Sequence, residues 1–228
     1  MSLSSEIRID LKNDALTGDL SIPEASHGVI LFAHGSGSSR LSPRNGFVAN
    51  YLNECGFATL LIDLLSSAEE DIDQYSRHLR FDIPLLAQRL ILAIEWLSSS
   101  AETKELPIGL FGASTGSAGA ILAAVEARRS ISAVVSRGGR PDLAWSHLHR
   151  LKAPTLLIVG GEDDEVLDLN KHASTQMRCP HKIAIVPGAT HLFEEPGTLE
   201  RVAQLASDWF SQYVGPPMVR NMNYEVKQ

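Results

Sequence analysis

Two cysteines in 228 residues, Cys55 and Cys179, are too few and too far apart for a disulfide framework or for paired-cysteine metal spacing. They are expected as small core or boundary residues in a reducing compartment. Positive charge is also scarce, with 20 Lys and Arg against 27 Asp and Glu and a formal net charge of −7. A phosphate-backbone partner calls for a basic face or stripe, so no nucleic acid is expected. No apolar stretch approaches the length of a membrane span, and Met1-Ser2-Leu3-Ser4-Ser5-Glu6 lacks the basic start and apolar run of a signal peptide. The expected location is cytoplasmic, with no membrane partner. His147 and His149 are two apart and point to different faces of a helix, and the acidic run 162–165 has no histidine at ligand spacing. No metal and no cofactor is expected. Repeats and low-complexity blocks are missing too, and a chain that is 44% hydrophobic at this length suits one well-buried α/β domain over 1–228.

The apolar residues that are present change period along the chain. Segments 7–11 and 16–22 alternate and are joined by Asn13-Asp14, which predicts an N-terminal antiparallel hairpin within residues 1–25. From there the runs 28–33, 57–62, 106–111, 131–135, 155–159 and 182–186 are continuously apolar, as in strands covered on both faces. Between them lie helical stretches at 47–55, 83–97, 117–129, 142–149, 167–177 and 199–213. Strand alternating with helix predicts a mostly parallel sheet of about eight strands with right-handed crossovers and helices on both faces. The interval between 135 and 155 has room for one short helix, so no large cap domain is expected and the pocket should be shallow and open. Residues 66–80, with Glu69, Glu70, Asp71 and Asp73, read as a solvated loop with a helical turn. The chain after Gly215-Pro216-Pro217 reads as an appendage.

Chemistry concentrates at Gly112-Ala113-Ser114-Thr115-Gly116, which follows one apolar run and opens a helical one. A Gly-x-Ser-x-Gly turn between strand and helix lifts the serine onto a sharp corner, and its glycines leave room for the converging backbone. A second run ends in Gly160-Gly161-Glu162-Asp163-Asp164, which puts a carboxylate just past a strand. A third leads through Pro187-Gly188-Ala189-Thr190 to His191. Ser114 is the candidate nucleophile and His191 the candidate base; the blander role for Ser114 is a helix N-cap.

Serine, acid, histidine is the chain order of α/β-hydrolases. Residues 28–213 resemble that superfamily, and the small capless layout is most similar to its dienelactone-hydrolase-like branch. The resemblance rests on His34-Gly35-Ser36-Gly37, the 112–116 turn, Gly160-Gly161-Glu162-Asp163 and Gly188-Ala189-Thr190-His191. Dienelactone hydrolases proper carry cysteine at the nucleophile position, whereas this chain has Ser114, which performs the same addition when histidine activates it. The resemblance implies Asp163, ahead of its neighbour Asp164, as the acid that orients His191. It implies an oxyanion hole from the amides of Thr115 and Ser36, with Gly37 as the alternative to Ser36. It also implies a serine hydrolase cleaving a small-molecule ester or lactone through an acyl-enzyme. Acyltransferase and thioesterase chemistry share this machinery, and a catalytically silent binding module shares the fold.

Arginines are the remaining signal. Arg40 and Arg44 follow the first glycine loop, and Arg137 and Arg140 follow a strand, so Arg137 and Arg40 are candidate binding residues for an anionic substrate. The alternative is that they pair with Asp63, Asp142 or the acidic segment and brace the rim. His34 is expected to pin the glycine loop rather than act as a base. Trp145 and Phe193 are candidates for an acyl pocket or, more commonly, for packing. A dinucleotide-binding reading of Gly35-Ser36-Gly37 with Asp63 fails at the third glycine position, which is Arg40.

Overall fold

A computed structural model of the chain describes residues 3–215. One eight-stranded sheet runs through them: β1 (Leu3–Asp10), β2 (Ala15–Ile22), β3 (Val29–Ala33), β4 (Ala58–Ile62), β5 (Ile108–Ala113), β6 (Ala133–Arg137), β7 (Thr155–Gly160) and β8 (His181–Val186). Their order across the sheet is β1-β2-β4-β3-β5-β6-β7-β8. The expected hairpin is β1 with β2, closed by a bond from the Leu11 amide to Asp14 O at 2.7 Å. β2 pairs antiparallel with β4, and every pair from β4 through β8 is parallel.

The continuous apolar runs have a simple cause. Successive side chains of a strand point to opposite faces, and here both faces are covered. Ile30 and Phe32 of β3 face a core closed by α1 (Pro43–Glu54) and α6 (Thr198–Tyr213), while Val29, Leu31 and Ala33 face a core closed by α3 (Ile83–Ser99) and α4 (Thr115–Glu126). α5 (Asp164–Ser174) completes the second layer beside a 3₁₀ segment, Pro141–Arg150.

Three expectations shift. Helix α1 begins at Pro43 rather than 47, because the Ser42 side chain accepts from the Asn45 amide at 3.3 Å and Pro43 is preset for a first helical turn. Residues 66–80 are not a loop: Ser67–Ser76 is a helix, α2, followed by a 3₁₀ turn at Leu79–Phe81. A capping box starts α2, with the Glu69 amide donating to Ser66 Oγ at 3.3 Å and the Ser66 amide to Glu69 Oε2 at 2.9 Å. The Ser-x-x-Glu signal was in the sequence, hidden by the lack of an apolar stripe. The helix expected at 142–149 is the 3₁₀ segment Pro141–Arg150, broken at Ala144 (φ −107°, ψ 21°), and no cap domain rises from it. The appendage expected after Gly215 lies outside the described residues. No helix among the described residues is long and apolar enough to cross a membrane.

This topology brings the carboxyl ends of β3, β5, β6 and β7 to one edge of the sheet, where α/β folds bind ligands. His34, Ser114, Gly138 and Gly161 are the residues that leave those strands.

Candidate active site

Ser114 occupies the corner between β5 and α4 with φ 50° and ψ −123°, a conformation that costs a non-glycine residue roughly 1–3 kcal/mol. Its surroundings over-determine it. The Ser114 amide donates to Arg137 O at 3.1 Å, and Ser114 O accepts from the Ser117 amide at 3.1 Å and from Ser117 Oγ at 2.7 Å. The flanking glycines are steric necessities: a Cβ on Gly116 would lie 2.4 Å from His34 O, and one on Gly112 would lie 2.4 Å from Ser117 Cα.

The acid and the histidine meet across the sheet edge. His191 Nδ1 lies 2.7 Å from Asp163 Oδ2, whereas Asp164 is exposed and opens α5. A carboxylate only accepts, so Nδ1 carries the hydrogen and Nε2 remains an acceptor. The two loops are zipped by backbone bonds from the Gly161 amide to Val186 O at 2.8 Å and from the Glu162 amide to Ala189 O at 2.9 Å. Beyond His191, Glu195 takes the Thr190 hydroxyl at 2.6 Å and the Thr190 amide at 3.1 Å, which fixes the chain on the histidine's near side. Ser114 and His191 line one open cleft of ≈280 Å³, with Leu192 as its exposed apolar wall. No hydrogen bond joins Ser114 Oγ to His191 among the described residues, a contact that in unliganded sites often closes only around substrate.

The Thr115 amide opens α4 and is one of the four that a helix leaves without an intrahelical partner. Ser36 differs from expectation. Its amide is already engaged, donating to the buried Thr115 hydroxyl at 2.9 Å. The loop Gly35–Ser38 therefore reaches the elbow through a side chain, which strand-and-turn reading could not register.

Comparison with known proteins decides the family. A family model for an alpha/beta hydrolase domain matches residues 26–208. The chain belongs to the α/β-hydrolase family. The structure of a dienelactone hydrolase from Anabaena variabilis is similar to this chain at 53% identity and a TM-score of 0.91, covering 93% of this chain and 99% of that one. Est1E from Butyrivibrio proteoclasticus shares the fold, with 18% identity, a TM-score of 0.77 and coverage of 92% and 98%. A Mycobacterium tuberculosis protein named, provisionally, a phosphoribosyl transferase is 54% identical over 202 residues, which are 89% of this chain and 45% of that protein. The chain thus spans about half the length of the curated relatives it matches.

The two candidate arginines part company. Arg40 does not reach the Ser114 cleft and binds carboxylates of the protein instead. Its Nη1 lies 2.6 Å from Asp63 Oδ2, its Nη2 3.0 Å from Glu6 Oε2 and its Nε 3.2 Å from Asp19 Oδ2, while its amide donates to Asp63 Oδ1 at 2.8 Å. It ties the hairpin to the end of β4, so Arg40 is a brace rather than a substrate ligand. The same contacts engage Asp63, the acid on which a dinucleotide-binding reading depended. Arg140 likewise forks onto Asp142, at 2.9 and 2.8 Å. Arg137 has no such partner among the described residues and lines the cleft with Ser114.

His34 pins the loop as expected. Nδ1 lies 2.9 Å from Gly35 O, and Nε2 accepts the Leu64 amide at 3.0 Å. Burial pushes its pKa below the usual imidazole range. Neither aromatic candidate enters the cleft: Phe193 is buried in the core under α6, and Trp145 stacks on His172 with ring centroids 4.6 Å apart. Sequence reading did not single out Leu192, although it sits beside His191 and its exposure is a tertiary property.

Proposed function

We propose that this hydrolase cleaves a small carboxylic ester or lactone through Ser114, His191 and Asp163. The observation that carries the reading is the 2.7 Å Asp163–His191 bond placed at the same cleft as a serine held at a positive-φ elbow. Ser114 Oγ adds to the carbonyl carbon as its proton passes to His191 Nε2, and Asp163 stabilises the imidazolium that forms. The Thr115 amide faces the oxyanion, joined by Ser36 once that amide is shared or released. Collapse breaks the bond to the leaving oxygen, which takes the proton back from His191. Water then adds to the acyl-enzyme by the same route and restores Ser114. The name of the Anabaena variabilis relative supports a lactone within the substrate range. A cleft with no cap supports water as the acceptor in place of a second alcohol or thiol. The free state of Cys55 and Cys179 supports a cytoplasmic setting.

Labelling by a fluorophosphonate probe, together with p-nitrophenyl acetate turnover, tests the reading. The wild-type protein should label and turn over, and Ser114→Ala should do neither while keeping its circular dichroism spectrum. Turnover by purified Ser114→Ala above a few per cent of wild type would remove Ser114 as nucleophile.

A further inference from the structure

An open groove of ≈570 Å³ lies at the amino ends of β7 and β8, the end of the sheet opposite to Ser114, and shares no lining residue with the Ser114 cleft. Parallel pairing builds it. Thr155 and His181 open the two strands and are partners in register, and the Thr155 amide donates to Pro180 O at 2.9 Å. The residues just before each strand are thereby set side by side. Arg150 and Lys152 come from one segment and Arg178 from the other, with His149 beside them, and all four are exposed. Leu151 and Cys179 line the same groove but are buried, so its inner surface is apolar.

These cations have nothing opposite them. No carboxylate among the described residues lines the groove or lies within ion-pair distance of Arg150, Lys152 or Arg178. The cause is in the sequence. Segments 143–161 and 169–193 supply all but one of the lining residues and contain no Asp or Glu, in a chain that has 27 of them. Like charges gathered in one concavity repel one another and focus their field on whatever enters it.

Three full cations and a histidine call for a ligand with two or more negative charges. Arginine forks bind phosphate oxygens in pairs, and lysine binds phosphate as a point charge. A nucleic acid would need cations in a stripe along a face, whereas these converge on one hollow, and its volume falls within the roughly 300–1,000 Å³ of small-molecule pockets. The apolar surface at Leu151 and Cys179 gives an organic body a place that a bare inorganic ion would not use.

We infer that this groove is a second binding site, separate from the Ser114 cleft, for a small organic phosphate carrying two or more negative charges. The full chain is titrated calorimetrically with ADP at about 50 mM salt, where screening is weak. ADP should bind the wild type and Ser114→Ala alike, and at least tenfold more weakly the double variant Arg150→Gln/Arg178→Gln. Both substituted positions are exposed, and circular dichroism checks the fold; Lys152→Gln takes their place should the double variant not fold. The control Arg8→Gln/Arg201→Gln removes the same charge from exposed positions outside the groove and should leave the affinity within about twofold of wild type. Inorganic pyrophosphate, the anion without an organic body, should bind at least threefold more weakly than ADP. No binding of ADP up to about 10 mM overturns the inference, as does an affinity unmoved by the groove variants or lowered equally by the control. Pyrophosphate binding as tightly as ADP also overturns it, as does a mixed-sequence DNA duplex binding more tightly than ADP through the same arginines. A protein that fails to label with fluorophosphonate yet binds ADP through these arginines loses the hydrolase reading and keeps the phosphate site.

Discussion

The Ser36 amide and the Thr115 hydroxyl are hydrogen-bonded at 2.9 Å, joining the loop after β3 to the first residue of α4. The bond satisfies a loop amide in the free protein and, by the same contact, withholds it from an oxyanion. Thr115 is only 4% exposed, so water does not readily replace its hydroxyl.

Thr115→Val removes the acceptor at nearly constant volume. In the free protein the Ser36 amide is then left unpartnered, a loss of about 1–3 kcal/mol that thermal unfolding should register as a lower Tm. On the proposed oxyanion hole, the oxyanion becomes that amide's partner in the transition state, so kcat should be at least that of the wild type. A tenfold or larger fall in kcat would mean that Ser36 is not a donor, or that Thr115 must hold the loop for catalysis to proceed.

Exchange of acid for amide separates two adjacent aspartates. Asp163→Asn leaves the shape of the site intact but offers His191 Nδ1 a donor, which reverses the tautomer and removes the acceptor that the proposed Ser114 nucleophile needs. The expected loss in kcat is on the order of 10⁴-fold, the size such a change has in a serine protease triad. Asp164→Asn, at an exposed position in the first turn of α5, should cost less than about threefold in steady-state assays. Reversed results would reassign the acid.

The buried His34 makes stability depend on pH. Its folded pKa lies below the ordinary value of 6.5, so the unfolded chain takes up the proton first as pH falls. The stability it contributes is complete above about pH 6.5 and is lost as pH drops through the lower, folded pKa. A proton on Nε2 would also face the Leu64 amide, a donor, across 3.0 Å. His34→Gln keeps an acceptor for that amide and does not titrate. Melting temperatures between pH 7.5 and 5 should therefore decline less steeply in His34→Gln than in the wild type. Parallel curves would assign the acid sensitivity to other groups, such as His27, whose pKa burial also lowers.

Local pattern went far in this chain because its strands are buried on both faces and its punctuation is strong. Runs such as 106–111 and 155–159 are apolar because each has helices above and below, and glycine at 112 and 116 marks where backbone meets backbone. The order of Ser114, acid and His191 along alternating strands and helices was enough to specify the sheet edge at which they meet. The acidic helix α2 was missed because a helix with one buried residue, Asp73, has no apolar stripe to read; only its capping box was there to find.

What the sequence by itself determined was therefore the sheet, the elbow and the three residues brought to one edge, since these follow from periodicity, turn chemistry and chain order. The partners of individual polar groups were decided by the tertiary structure alone. Arg40 follows the end of β3 and Arg137 is the last residue of β6, and in the sequence the two look alike as candidates. Packing gave Arg40 the carboxylates of Asp63, Glu6 and Asp19 and left Arg137 buried with none among the described residues. A charged side chain's role depends on which opposite charge lies within a few ångströms of it, and residues as distant as Glu6 and Arg40 acquire that proximity only when the sheet is assembled.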